Sequence, residues 1–497
     1  SPDIDRVGGI WAGMSGSPVY VDGRLLGAVA FGLAWGPSKV AGLTAAEDML
    51  ELLDRPAASP ARAELYAQRV PLSNALRTRI SRTTGASADE VGRSMVRLRI
   101  PLSVSGLTDR GLRGLRHFLR INRIAAVPYA GNSVSSSETA DPGGVEPGSN
   151  FAAALSYGDI TYAAVGTTTV VCDGKAVAFG HPFYWAGETL IGANAAEAIT
   201  VVEDPVSTPY KLARIGGAIG TVDQDRFAGI RATLDGAPRT IPVTSTTTSA
   251  DTGKTHEGST EVVFGQDVVH VSLDHLFFAI LAAQDQIGEG SARMSWTLRG
   301  IKKAGGTWTL RRANMYTSTY DIAYDSIDEY HWQMHRIEDN RFEPIEFTGV
   351  SADISVLEEL RQYAIAGVEA SVGGAPFRNA RTLTVRAGAR IALRITLEPY
   401  QGATTKVVAM SVRVPAGARG MATLVIRGGQ SCTYNCPLKG VGSFAEFLRV
   451  EGGRDHNNDL VAELSGGEGR PLPIAKSKRV LDRVVTRREM IALRIVR

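Results

Sequence analysis

Residues 18–31 read Pro18-Val19-Tyr20-Val21-Asp22-Gly23-Arg24-Leu25-Leu26-Gly27-Ala28-Val29-Ala30-Phe31, two apolar runs joined by Asp-Gly. Asp-Gly tolerates positive φ at both central turn positions, so the stretch predicts a β-hairpin and starts the chain as a mainly β protein. Just upstream, Gly13-Met14-Ser15-Gly16-Ser17 sets a serine between glycines. Downstream, TAAEDMLELL predicts a helix over residues 44–53, with Thr44 as N-cap and Glu47 completing a capping box, stopped by Pro56.

Residues 57–95 are rich in Ala, Arg and Ser and read as a connector between two halves. Alternation in MVRLRIPLSV (95–104) predicts a strand, and DRGLRGLRHFL (109–119) an amphipathic helix carrying His117 on its surface. AGNSVSSSETADPGGVEPGS (130–149) is a long polar loop. A β-rich block runs from Phe151 to Leu234 with a second hairpin turn at Asp173-Gly174. LFFAILAA (276–283) predicts a compact apolar helix, and Met294–Arg299 a strand. From about residue 345 short runs such as LTVRAGARIALRITLEPY repeat between turns, the pattern of a β-sandwich.

The expected organisation is therefore a serine-bearing segment (1–60), a connector with strand and helix (61–145), a β-rich region (146–345) and a C-terminal β-sandwich (346–497). A chain of 497 residues exceeds one hydrophobic core. With 44% hydrophobic and 21% charged residues it has the balance of a globular protein, which excludes disorder as the default. Lys plus Arg number 54 against 51 Asp plus Glu, and the basic residues are scattered, so a nucleic-acid partner is not expected. The densest basic run, Lys476 to Arg488, is broken by Leu481, Val484 and Val485 and reads as a solvated face. No apolar stretch of about 18 residues predicts a membrane span, and no export signal is visible in the chain as given. Of three cysteines, Cys432 and Cys436 are spaced for a small disulfide loop in an oxidising compartment, and Cys172, in an apolar run, is expected to be buried.

The glycines beside Ser15 allow a tight turn that exposes the hydroxyl and frees the N–H groups of Gly13 and Ser15 to face one spot, the geometry of an oxyanion hole. A hydroxyl needs a base within hydrogen-bond reach. Among eight histidines, His181 has the most suggestive setting, at the end of the strand-like run Ala176-Val177-Ala178-Phe179-Gly180. A base at a strand end is held on a rigid scaffold.

GGIWAGMSGSPVYVDGRLLGAVAFG (8–32) resembles the serine segment of the SpoIVB (stage IV sporulation protein B) peptidase family, and GTTTVVCDGKAVAFGHPF (166–183) with KLARIGGAIGTVDQDRFAGIRATL (211–234) resembles its histidine segment. The similarity covers roughly residues 7–50 and 146–240. It implies a trypsin-like, two-barrel serine endopeptidase acting outside the cytoplasm on protein or peptide substrates, without a cofactor. By position it makes Ser15 the nucleophile and His181 the base. The two segments stand in permuted order, as in the long members of the family, which a triad tolerates because it is defined by geometry. The chain opens 14 residues before Ser15, so strands completing a serine-bearing barrel are expected upstream. The family's self-processing makes a cleavage before Ser1, with the released N-terminal segment as a partner, an expectation too. For the orienting carboxylate, Asp225 in TVDQDRFAG ranks first, with Asp3 and Asp5 as alternatives.

Two other clusters invite a metal reading and fail it on spacing. Asp455-His456-Asn457-Asn458-Asp459 lacks the glycine and distal glutamate of a calcium loop and reads as a polar turn. His331 and His335 fit one helix face, but Trp332 stands where a zinc-protease motif needs glutamate. Beside the endopeptidase, the sequence leaves open an inactive extracytoplasmic binding or scaffold protein on the same fold. A carbohydrate-binding protein is less well served by six dispersed tryptophans.

Overall fold

The structure, a computed structural model, describes residues 2–33, 38–56, 69–121, 124–204, 208–263, 268–402, 404–429, 438, 440–466 and 475–496. The Cys432/Cys436 pair lies outside them. The chain forms two compact units, one of Ser1–Val243 with Ser259–Phe278, the other of Thr244–Gly258 with Ala279–Arg497. The expected four-way division is thus coarser in three dimensions.

In the first unit the predicted hairpin forms as β1 (Pro18–Val21) and β2 (Arg24–Leu33), with Asp22 at φ 49° and Gly23 at φ 74° across the turn. β3 (Ala41–Ala45) pairs with one edge of β2 and β4 (Ser94–Arg97) continues the sheet, placing Arg97 opposite Phe31. The helix after β3 is shorter than predicted, Ala46–Leu50, and Ala45 rather than Thr44 is its N-cap. Thr44 is drawn into β3, where its buried hydroxyl donates to the Gly180 carbonyl, so the capping box does not form.

Six further strands close a barrel: β5 (Asn150–Ala154), β6 (Tyr162–Cys172), β7 (Lys175–Ala178), β8 (Gly187–Val202), β9 (Tyr210–Arg226) and β10 (Gly229–Thr233). Around it the order is β7-β10-β9-β8-β5-β6 and back to β7, every pair antiparallel. Closure leaves these six strands without a free edge. The turn at Asp173-Gly174, with φ 49° and 70°, joins β6 to β7 as predicted. Cys172 stands beside that turn and is exposed, which corrects the expectation of burial: the apolar run ends before it. On one face of these strands Ala152, Ala154, Ala163, Val165, Ala213 and Ile215 pack with Tyr157, Val134 and Val263 in one apolar cluster. The serine-bearing strands form an open five-stranded sheet, so among the described residues one closed barrel stands where two were expected.

In the second unit β11 (Gly290–Lys302) pairs with β12 (Thr307–Ser318) and β13 (Ile345–Leu357). The helix Ile322–Glu338 covers this sheet, with Trp296 Nε1 donating to Gln333 and Arg312 paired to buried Glu329. The C-terminal sandwich is present as two five-stranded sheets sharing one apolar core, with Ile365, Leu393 and Ile395 from one sheet and Leu424, Ile426 and Leu493 from the other. It begins at Gln362 rather than near 346, because Ile345–Leu357 is claimed by β11. No helix among the described residues is long and apolar enough to cross a membrane.

Candidate active site

The segment before β1 is held from two sides. Gly16 N–H donates to Val29 O at 2.8 Å, and Ser17 N–H to Met14 O at 2.8 Å, closing a tight turn on β2. From the barrel, Thr167 N–H on β6 donates to Ser15 O at 2.9 Å, while the Thr167 and Thr169 hydroxyls donate to Gly13 O and Gly16 O. Gly16 is required here: at φ +92° a Cβ would fall 1.9 Å from Thr167 O. Thus β6 and the serine turn lie in direct contact, although the chain between them runs for about 150 residues.

His181 is placed by the exit from β7. Phe179 and Gly180 adopt positive φ, 70° and 64°, which turns the chain sharply out of the barrel. Such a conformation costs a phenylalanine about 1–2 kcal/mol. It is stabilised by the Phe179 ring, fully buried against Gly166 and edge-on to Phe151 and Phe183. Thr44 fixes the Gly180 carbonyl.

These two turns bring Ser15 Oγ to 2.8 Å from His181 Nε2, joining the two residues the sequence singled out. His181 Nδ1 lies 2.9 Å from the Pro182 carbonyl oxygen. A carbonyl only accepts, so the neutral imidazole carries its proton on Nδ1. Nε2 is left with a lone pair directed at the serine hydroxyl, the arrangement a general base requires. The amides of Gly13 and Ser15, predicted to form the oxyanion hole, donate to no acceptor among the described residues, although both residues are buried. A buried N–H without an acceptor costs about 1–3 kcal/mol, and an oxyanion would recover it.

Asp225 is not on the imidazole. Its buried carboxylate accepts the backbone N–H groups of Phe183 at 2.8 Å, Tyr184 at 2.6 Å and Ala186 at 3.2 Å, shaping the loop after His181. Burial pushes its pKa up, and those amides hold it partly down. The orienting role expected of it is filled by a backbone carbonyl, because β9 delivers Asp225 beneath the loop and not beside the ring. Asp3 and Asp5 lie on the exposed helix Pro2–Arg6, paired with Arg6 and Lys39.

Two cations missed in the sequence complete the site. Arg97 donates through Nη1 to Pro182 O at 2.8 Å and reaches Phe183 O at 3.4 Å. Burial, and then Arg97, push the His181 pKa down to about 3. Lys211 N–H donates to Ala12 O, and its side chain runs beneath Gly13. Period-two alternation could have flagged both: Arg97 shares a strand face with Met95, and Lys211 with Ala213 and Ile215, all buried. Ser15 is 1% and His181 0% exposed, so the pair is closed to solvent.

Elsewhere, Asp455 bridges Arg427 and Lys476, and Asp459 accepts His456 N–H, a polar turn as expected. His331 and His335 share a helix face with Nε2 atoms 3.0 Å apart. No family model matches the chain, and no curated protein or solved structure matches it.

Proposed function

We propose that this chain is a serine hydrolase of the acyl-enzyme type, an endopeptidase acting outside the cytoplasm. The observation that carries the hydrolase reading is the 2.8 Å contact of Ser15 Oγ with an imidazole nitrogen whose proton is held on the opposite side of the ring. Peptide specificity, extracytoplasmic placement and self-processing rest on the resemblance of residues 8–32 and 166–234 to the SpoIVB-type peptidases.

In the mechanism Ser15 Oγ attacks a substrate carbonyl as His181 Nε2 takes its proton. The charge that develops on the carbonyl oxygen is met by the Gly13 and Ser15 amides. Collapse of the adduct expels the amine, which leaves with the proton from Nε2, and water repeats the sequence to free Ser15. The burial of both side chains requires the substrate to displace what covers them, so acylation is coupled to opening of the site.

The same burial, with Arg97 acting against an imidazolium, favours a second reading: a binding or scaffold protein that keeps the pair as a structural hydrogen bond. A fluorophosphonate probe separates the two. Labelling that is lost in Ser15→Ala and His181→Ala supports the hydrolase; a folded protein that takes no label at any pH from 5 to 9 supports the scaffold.

A further inference from the structure

Lys211 is 7% exposed and faces no carboxylate among the described residues. Its ammonium donates to Asn150 Oδ1 at 2.8 Å, Thr167 Oγ1 at 3.0 Å and Gly166 O at 3.2 Å. Three acceptors meet three N–H bonds, so the site is built for the charged form; a neutral amine has only two hydrogens. The Thr167 hydroxyl accepts from Lys211 and donates its own hydrogen bond to Gly13 O at 3.0 Å. The Lys211 main-chain N–H holds Ala12 O at 2.9 Å, which fixes the peptide that carries the Gly13 N–H. A Cβ on Gly13 would lie 2.8 Å from Lys211 Cβ, so the side chain passes directly under the turn.

Resting on the hydrolase reading, we propose that Lys211 is a positioning residue of the oxyanion site: its buried ammonium, acting through the Thr167 hydroxyl, locks the Gly13–Ser15 turn and supplies the positive potential that a developing oxyanion needs. A buried cation without a counter-ion costs a fold stability, which sets Lys211 apart from an ordinary structural lysine. Burial alone lowers the Lys211 pKa to about 8. The groups facing it are Gly13 from the serine turn, Asn150 from β5, and Gly166 and Thr167 from β6, none of which titrates. Its folded-state value lies below the ordinary lysine value of 10.5, so stability rises as pH climbs from about 8 towards 10.5. Replacing the cation removes that charge penalty but leaves Asn150 Oδ1, Gly166 O and Thr167 Oγ1 without their donor, so the two changes oppose each other in stability while the chemistry weakens.

The test follows fluorophosphonate labelling rates of the full chain from pH 6 to 10, with thermal midpoints, for wild type, Lys211→Met, Lys211→Arg and Thr167→Val. The expected result is a wild-type rate that declines above about pH 8, a 10- to 100-fold lower rate in K211M with that decline abolished and its thermal midpoint little changed, and partial recovery in K211R. T167V, which cuts the relay and leaves the charge, is expected to lose several-fold in rate, and it carries the test if K211M does not fold. Wild-type rates and pH dependence in K211M, or in T167V where K211M is unfolded, overturn the proposal and leave the hydrolase reading standing. A parallel fall of rate and thermal midpoint in K211M, with the alkaline decline retained, also overturns it, by making Lys211 purely structural. A wild-type protein that takes no label overturns both.

Discussion

Arg97 Nη1 and the Pro182 carbonyl oxygen are 2.8 Å apart, and that oxygen also accepts a hydrogen bond from His181 Nδ1–H. The proposed base is therefore backed by a cation through a shared acceptor, where the Ser-His-Asp arrangement has an anion. An imidazolium formed during catalysis gains nothing from this neighbour. The acid limb of labelling is accordingly expected far below the ordinary histidine value of 6.5, towards the value of about 3 set by burial and Arg97. Arg97→Met removes the second cause and leaves the first, so its limb should rise while staying below 6.5. The pH dependence of probe labelling measures both, and a wild-type limb at 6.5 would mean that the imidazole is solvated when it reacts.

Asp225 is expected to behave as a loop anchor. Asp225→Ala leaves the amides of Phe183, Tyr184 and Ala186 without their acceptor and should destabilise the fold by about 3 kcal/mol or more, since each buried donor left unsatisfied costs about 1–3 kcal/mol. Denaturant unfolding and faster hydrogen exchange at those three amides check it. A roughly 10⁴-fold loss of labelling in Asp225→Asn at unchanged stability would assign the carboxylate to the imidazole instead.

Gly16 and Gly23 both have positive φ, +92° and +74°, but only Gly16 is crowded. Gly16→Ala forces a Cβ into Thr167 O and Phe179 N, so labelling should be abolished and the serine turn displaced. Gly23→Ala meets nothing within 4 Å and should cost only the conformational penalty, about 1 kcal/mol. Paired thermal melts and labelling assays distinguish the two.

Tyr162 donates to Asp274 Oδ2 at 2.5 Å, and burial raises the Asp274 pKa to about 6 despite that bond. A folded-state value above the unfolded 3.8 means the contribution of this group is fully present below pH 3.8 and is lost as pH rises through about 6. Asp274→Asn should flatten that part of the pH–stability curve, measured as urea midpoints between pH 4 and 7. An unchanged slope would show that Asp274 titrates normally.

Much of this was legible in the one-dimensional pattern. Asp22-Gly23 and Asp173-Gly174 announce their hairpins because few other pairs accept positive φ twice, and Ser15 and His181 stand out because glycine flanks both. Closure of the barrel was not legible, since it depends on β7 pairing with both β6 and β10. Thr44 was misread because its local capping signal lost to a strand edge and to the Gly180 carbonyl. The role of Asp225 was hidden for a related reason: spacing along the chain does not say whether a carboxylate meets a ring or three backbone amides.

All six barrel strands come from residues 150–233, with no contribution from the hairpin at residues 18–33. The cylinder can thus close without the hairpin, but its imidazole is set only when Thr44 and Arg97 of the hairpin's sheet reach the Gly180 and Pro182 carbonyls. Under the hydrolase reading, reactivity is then a property of the join between sheet and cylinder, and loosening that join should silence the chemistry without opening the cylinder.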